Sequence, residues 1–286
     1  MPSLKELVGQ ELDLPVDPRV RAMAEAIVAR HRTASRAVLF YGSCLRQKQL
    51  DGQMLDFYLI VSSYREAYGK AWLAVANRLI PPNVFYAEHD GLAAKYAVLS
   101  VDDFHRLNGP ETNNVSVWAR FAQPSRLVWV DPAEREQIVI AVARAAPTLL
   151  AAAGRREGEA PLDWWRRAFA LTYSAELRAE RKERGASVVD VDPDRYLAFT
   201  TSAVAAIPRD RPTGASWTRR RLLGKLLSVI RLAKASATFA GGADYIAWKI
   251  NRHAGTDIRL KGWQRRWPLL AAISLLPRLL RSGAVR

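Results

Sequence analysis

A Gly-Ser pair followed by a strand carboxylate is the part of the sequence best suited to chemistry. In YGSCLRQKQLDGQMLDFYLIV, residues 41–61, Gly42 and Ser43 follow one apolar run and Asp56 lies within the next. A glycine lets the backbone approach a ligand closely, and Ser43 at the start of a helix offers donors to phosphate oxygens. A carboxylate on the neighbouring strand can hold Mg²⁺ against the same phosphates. The spacing predicts a nucleoside triphosphate site; the alternative is a tight turn beside an exposed strand acid.

The sequence lacks the second acid that this chemistry usually employs. Nucleotidyltransferases commonly carry Asp-x-Asp, which strand alternation places on one face, but the second position here is Tyr58. Asp51, in an Asp-Gly turn, and Glu88, near the end of a later strand, are candidates for a further ligand, although an ordinary surface role is favoured for both. Triphosphate oxygens and water are a third source of ligands for Mg²⁺.

Two cations downstream are candidate phosphate ligands. Lys95 lies in the otherwise apolar AKYAVLS, where a lysine is costly unless it is paired or reaches solvent from an edge strand. Arg120 has the bidentate geometry that suits phosphate, and an ion pair that holds a helix to the sheet is the alternative. Cys44 has no histidine near it in sequence, and we interpret it as a space-filling residue.

The elements that must position these residues alternate between strand and helix periods from residue 37 to about residue 131. Strands are predicted at 37–41, 55–61, 83–88, 94–100 and 126–130, with helices at 17–31 and 64–79. Helices then follow at 133–153, 162–182, 195–206, 219–236 and 243–253. This pattern predicts an α/β (α+β) mixed sheet in residues 1–153, a mainly helical domain in 154–255 and a basic amphipathic tail in 256–286.

The charge of the chain is concentrated at its C-terminal end. The 286 residues carry a net charge of +15, and residues 209–286 hold 17 Lys or Arg against 3 Asp or Glu. Such a field attracts polyanions, either an anionic lipid surface or nucleic acid. In the tail, Trp263 and Trp267 lie among Arg265 and Arg266, a composition typical of a helix in a membrane interface; packing on the protein's own core is the alternative. Further basic residues on the preceding helix, Arg219, Arg220 and Lys225, are candidates for the same role.

The cysteine and histidine content, the N-terminal residues and the longest apolar run together indicate a cellular location. The single cysteine and four scattered histidines offer neither a disulfide framework nor a zinc spacing. The N-terminal residues lack the pattern of a secretory signal, and the apolar run WPLLAAISLLPRLL falls short of the roughly 20 residues that a spanning helix needs. We therefore expect a cytoplasmic protein that contacts the membrane peripherally.

The motifs resemble those of a known family. YGSCLRQ and MLDFYLIV are similar to the Gly-Ser turn and the short strand with one acid in the mitochondrial translocator assembly and maintenance family, which are peripheral phosphatidate cytidylyltransferases. AKYAVLS and SVWARFAQPSRLVWV resemble later segments of that family in the same order. The matching residues are Tyr41, Gly42, Ser43, Gln47, Met54, Leu55, Asp56, Phe57, Lys95, Tyr96, Arg120, Gln123 and Pro124. The family's glycine after Gly-Ser is Cys44 here, and its Gly-Ala-Gly before the third strand is replaced by residues 81–83.

The resemblance implies a function and a set of partners. The expected reaction transfers CMP from CTP to phosphatidic acid, giving CDP-diacylglycerol and pyrophosphate on the inner face of a membrane. It implies nucleotide contacts from Tyr41, Gly42, Ser43, Gln47, Lys95 and Arg120. It also implies Asp56 as the Mg²⁺ ligand, with Lys95 assisting catalysis. Two alternatives remain open: a nucleotidyltransferase with another acceptor, and an inactive relative that binds nucleic acid. The Trp and Leu content of the tail argues against the second.

Overall fold

A five-stranded mixed sheet forms the centre of the protein. The computed structural model describes residues 2–176, 188–208, 216–238, 259 and 261–266, without the side chains of residues 232, 233, 235–238, 265 and 266. The strands are Ser35–Tyr41 (β1), Met54–Val61 (β2), Asn83–His89 (β3), Leu92–Ser100 (β4) and Ser125–Val130 (β5), in the order β3-β4-β2-β1-β5. β2 and β4 are parallel, and the other neighbouring strands are antiparallel.

Helices cover both faces of this sheet. Before and within the sheet they are Leu4–Leu12 (α1), Pro18–His31 (α2), Ser43–Gln47 (α3), Tyr64–Ala67 (α4), Ala71–Leu79 (α5), Val101–Asn108 (α6) and Trp118–Phe121 (α7). After the sheet they are Arg135–Ala143 (α8), Ala145–Ala153 (α9), Pro161–Ala175 (α10), Pro193–Ala205 (α11), Trp217–Thr238 (α12) and Gly262–Arg266 (α13). The predicted α/β fold class, with a mainly helical C-terminal part, is confirmed. The helix predicted at 243–253 lies outside the described residues.

Local sequence signals account for several boundaries. The Ser3 side chain accepts from the backbone of Glu6, and the Glu6 side chain accepts from Ser3, so a capping box starts α1. Asp17 caps α2 and Pro18 occupies its first turn, where a missing N–H costs nothing. The two-residue turn between β3 and β4 consists of Asp90 and Gly91, both with positive φ, as the twist of a tight hairpin requires.

Two predicted helices are interrupted. The helix predicted over 64–79 is two helices, because the chain is extended at Tyr68 and Lys70 on either side of Gly69. The helix predicted over 133–153 is divided at Arg144 into α8 and α9. Pro147 lacks the N–H that would bond to the carbonyl of residue 143, which accounts for the interruption three residues earlier.

The helical part shares a core with one face of the sheet. Leu39 and Tyr58 from the strands belong to the same buried cluster as Trp165, Phe169 and Tyr196 from α10 and α11. A second cluster on the opposite face packs α2 against the other side chains of the strands. The hydrophobic core therefore includes residues on both sides of residue 153. The predicted domain boundaries stay predictions.

A buried ion pair ties the first helix to the helical part. Arg195 donates to both carboxylate oxygens of Glu11 and also to the Ala122 carbonyl. The side chains of Arg195 and Glu11 are 8% and 10% exposed. Removing one partner of such a pair leaves a buried charge without compensation, so both residues matter to the packing of α11.

One helical stretch in the described ranges, Pro132–Ala153, has the length and apolar composition that could cross a membrane, with a mean hydropathy of 1.3. In this structure 56% of its apolar window is buried. Val142, Leu149 and Leu150 of this stretch belong to the core shared with the sheet.

Candidate active site

The backbone at Gly42 lies against the carboxylate of Asp56. β1 and β2 pair antiparallel with Tyr41 opposite Asp56, so the chain leaves β1 beside that carboxylate. Gly42 has φ +94°, and a Cβ added there would lie 2.7 Å from Asp56 Oδ2. The conformation and the space both require glycine. The Gly-Ser turn and the strand acid predicted from the sequence are therefore in direct contact.

Lys95 joins Asp56 at the same level of the sheet. The parallel register of β2 and β4 places Lys95 beside Asp56, and Lys95 Nζ lies 3.0 Å from Asp56 Oδ1. The side chain of Asp56 is 16% exposed and that of Lys95 is 46% exposed. β4 is an internal strand, so the position of Lys95 is explained by its acidic partner and by access to solvent, and not by an edge strand.

Arg120 lies behind this pair, on α7. Its guanidinium donates to the Ser116 carbonyl and lies 3.5 Å from Glu176 Oε1; the two side chains are 28% and 7% exposed. Burial alone would lower the pKa of Arg120, but the carboxylate of Glu176 and the nearby Asp56 raise it well above its ordinary value. Arg120 therefore remains a cation, and its ion pair with Glu176 corresponds to the alternative role given for it above; a contact with phosphate stays a prediction.

Glu176 is the residue that the sequence did not reveal. It follows α10 by one position in SAELRAERKER, where nothing in the spacing separates it from the other charged residues of that segment. The tertiary fold brings it to Arg120.

Tyr58 takes the position of the second acid and has a packing role. It is 2% exposed, and its ring centroid lies 5.4 Å from that of Tyr41 and 5.1 Å from that of Phe121. Burial raises the pKa of Tyr58, so the phenol stays neutral. An aromatic layer thus supports the strand that carries Asp56, in the place where a second carboxylate would otherwise point.

The other residues of the turn have distinct environments. Ser43 is half-buried at the first position of α3, next to Gly42, whereas Gln47 is exposed at the last position of that helix. Cys44 is buried and its thiol donates to the Met54 carbonyl at 3.4 Å. Burial raises the pKa of Cys44, which is consistent with its predicted space-filling role and unfavourable to a nucleophile.

The two acids proposed as additional metal ligands have other partners. Asp51 accepts from Arg19 at 2.8 Å and is 80% exposed. Glu88 accepts from the Tyr86 hydroxyl at 3.1 Å on the outer strand β3. Within the described ranges no three His, Cys, Asp or Glu side chains are grouped as a metal site. Asp56 is therefore the candidate metal ligand.

α12 adds two basic side chains, Arg231 and Lys234, close to this region. Arg231 donates to the Pro81 carbonyl at 2.7 and 2.9 Å and to Ser116 Oγ at 3.1 Å, so Ser116 contacts both Arg120 and Arg231. Lys234 donates to the Ile80 carbonyl, and burial, with a contribution from Arg231, lowers its pKa to about 7. The inner face of α12 thus brings the Arg231 guanidinium near Arg120, whereas Lys234 is only partly charged at neutral pH.

The residues predicted to contact lipid are either exposed, or buried, or outside the described residues. Arg219 and Lys225 are exposed on α12, and Trp263 is 46% exposed on α13. Arg220 requires a correction: it is 2% exposed, donates to the Thr112 carbonyl, and lies over the rings of Trp118 and Trp217. It packs α12 onto the protein and is not available to a lipid surface. The side chains of Arg265 and Arg266, and the whole of Trp267, lie outside the described residues.

We predict that Gly42→Ala destabilises the protein more than Gly91→Ala does. Both glycines have positive φ, which costs an alanine about 1–2 kcal/mol, but only position 42 also faces a carboxylate; around Gly91 the space is open. The free energies of unfolding of both variants, measured in urea, check this. Equal losses would contradict the close approach of Gly42 to Asp56.

Comparisons with known proteins include a distant structural neighbour. No family model matches the chain, and no curated protein matches its sequence. Among solved structures, the chain is similar to a nucleotidyltransferase-like protein from Exiguobacterium sibiricum, with 10% identity, 92% of each chain covered and a TM-score of 0.27. A likeness at this level supports no conclusion about the activity of the present chain.

Proposed function

We propose that this chain is a nucleotidyltransferase that transfers CMP from CTP to phosphatidic acid and releases pyrophosphate. The observation that carries the proposal is the convergence of the Gly42 backbone, the Asp56 carboxylate and the Lys95 ammonium at one point of the sheet. A glycine-permitted approach, a carboxylate and a solvent-accessible lysine are the groups that bind a triphosphate together with its metal ion. The choice of CTP and phosphatidic acid follows the family resemblance.

The proposed roles follow from exposure and charge. The Ser43 hydroxyl and the backbone of the turn donate hydrogen bonds to phosphate oxygens. Lys95, the more exposed member of its pair, turns from Asp56 towards the triphosphate. An oxygen of the phosphatidate phosphate attacks the α-phosphorus as the bond to the β-phosphate oxygen breaks, and pyrophosphate leaves. Because the nucleophile is already an anion, positioning and charge neutralisation supply the rate enhancement and no general base is needed.

Mg²⁺ fits the residues present if the protein supplies one ligand and the substrate and water supply the others. Asp56 would hold it, and this is sufficient in principle because Mg²⁺ is commonly bound by one or two carboxylates together with substrate phosphates and water. When bound it would neutralise charge on the triphosphate. Arg120, whose charge interacts with those of Asp56 and Glu176, would add positive charge near a bound phosphate.

The outer face of α12 supports an anionic membrane as the source of the acceptor. Leu222, Leu226 and Val229 recur at helical spacing and are 73%, 55% and 55% exposed. Arg219 and Lys225 are exposed on the same helix. Leucines beside basic residues are typical of a helix that lies in the interface of an anionic membrane. The proposed location is therefore the cytoplasmic side of a membrane, with peripheral attachment, and we propose no nucleic-acid partner.

The reaction is tested with purified protein, Mg²⁺, each of the four nucleoside triphosphates and vesicles that contain phosphatidic acid. We expect pyrophosphate release with CTP that depends on phosphatidic acid. Asp56→Asn should lower kcat by about 100-fold or more, because charge neutralisation at the reacting phosphates is lost. Asp51→Asn, which changes an exposed acid paired with Arg19, is the matched control and should leave the rate unchanged. Absence of lipid-dependent turnover with all four nucleotides would reject the assignment, and turnover with another acceptor would retain only the nucleotidyltransferase.

Membrane contact is tested by vesicle sedimentation. The Leu222→Asp and Leu226→Asp double variant should bind phosphatidic acid vesicles about ten-fold or more weakly. Each leucine side chain that enters the membrane contributes about 1.5–3 kcal/mol to binding, and the aspartates lose this contribution. Leu197→Asp, at a 46% exposed position of α11, is the control. Equal vesicle affinities of the double variant and the unmodified protein would exclude α12 as the contact surface.

A further inference from the structure

A pocket lies on the face of the sheet opposite to Asp56. The C-terminal end of α2 meets the segment between α4 and α5 and the strands β3 and β4, and a cavity of about 420 Å³ lies among them. Cavities of roughly 300–1,000 Å³ are typical of small-molecule sites. Lys95 and Tyr96 are consecutive on β4, so Lys95 points to the candidate active site while Tyr96 lines this pocket. The pocket is thus independent of the function proposed above.

Aromatic side chains, His31 included, make up half of the lining. Tyr68 and Tyr96 are the most buried, at 8% and 3% exposure, and the His31 ring lies 6.2 and 5.7 Å from theirs. Phe85 stacks on Tyr96 with ring centroids 5.5 Å apart. Trp72, which is 47% exposed, completes the lining. Such a surface favours a flat, apolar ring.

The charges around the pocket define the other part of the ligand. Arg30 and Lys70 line the pocket and are exposed, and no carboxylate is among the lining residues. Arg30 also donates to the Tyr86 carbonyl at 3.0 Å, which fixes its guanidinium beside β3. Aromatic pockets often bind cations, but two cationic side chains with no acid would repel one. The electrostatics select an anion.

His31 contributes a neutral ring. Its Nδ1 lies 3.1 Å from the Ala67 carbonyl and must donate to it, so Nε2 accepts from the Tyr96 hydroxyl at 3.2 Å. Burial lowers the pKa of His31, which keeps the imidazole uncharged at neutral pH. The attraction for an anion therefore comes from Arg30 and Lys70, while His31 serves as an apolar surface.

We propose that this pocket binds a small aromatic anion, with its ring against His31, Phe85 and Trp72 and its anionic group between Arg30 and Lys70. An aromatic carboxylate and a nucleoside monophosphate share this chemistry. Both place one flat ring and one oxyanion within the dimensions of the cavity.

The test uses the full-length protein and isothermal titration with matched pairs of probes. Indole-3-acetate is compared with the uncharged indole-3-acetamide, and uridine monophosphate with uridine. In each pair the ring is the same and only the anionic group differs. We expect the anion of at least one pair to bind about ten-fold or more tightly than its neutral partner, because charge-assisted hydrogen bonds discriminate by that amount.

Variants assign the binding to this pocket. The Arg30→Gln and Lys70→Gln double variant should abolish the difference between anion and neutral probe, and Trp72→Ala should weaken both. All three positions are exposed, so folding is retained. Arg78→Gln is the control, because it removes an exposed cation outside the pocket from α5, the helix that carries Trp72. It should change the affinity for neither the anionic nor the neutral probe. Equal affinity for charged and neutral probes, no effect of the double variant, or no binding of any probe at millimolar concentration would overturn the proposal.

Discussion

The contact between the Gly42 backbone and the Asp56 carboxylate is the constraint on which the candidate site depends. A side chain at position 42 would occupy the place of an Asp56 oxygen, so the antiparallel register of β1 and β2 and the identity of the glycine are linked. The parallel register of β2 with β4 then brings Lys95 to the same carboxylate. A shift of either strand by one residue would send these side chains to opposite faces of the sheet and separate the group.

The helical part of the chain completes the surroundings of this group. Glu176 follows α10 and Arg231 lies on α12, yet both act on the region around Arg120 and Tyr58. Arg231 and Lys234 also bond to the backbone that precedes β3, which joins α12 to the edge of the sheet. The buried pair of Glu11 and Arg195 ties α11 to α1. Sheet and helices therefore form one packing unit around the site, and a fragment limited to residues 1–153 would lack Glu176 and Arg231.

The sequence was most informative where local periodicity and turn chemistry determine structure. The five strands and the neighbouring positions of Gly42 and Asp56 were predictable because each depends on residues close in sequence. The interruption at Tyr68 was not, because the pattern of 64–79 is compatible with one helix, and the packing of Tyr68 against His31 of α2 and Phe85 of β3 is a tertiary contact. Burial of Arg220 between Trp118 and Trp217 was hidden for the same reason, since a basic run reads as surface until the tertiary contacts are known.

We propose that a nucleoside triphosphate binds where Gly42, Asp56 and Lys95 converge. A crystal structure with Mg²⁺ and a CTP analogue that resists transfer at its α-phosphorus tests this binding mode. We expect triphosphate density against the turn at Gly42 and Ser43, with Lys95 Nζ in contact with a phosphate oxygen and Asp56 beside the metal ion. Nucleotide density on the opposite face of the sheet, beside Tyr96, with the Asp56–Lys95 pair intact would contradict it.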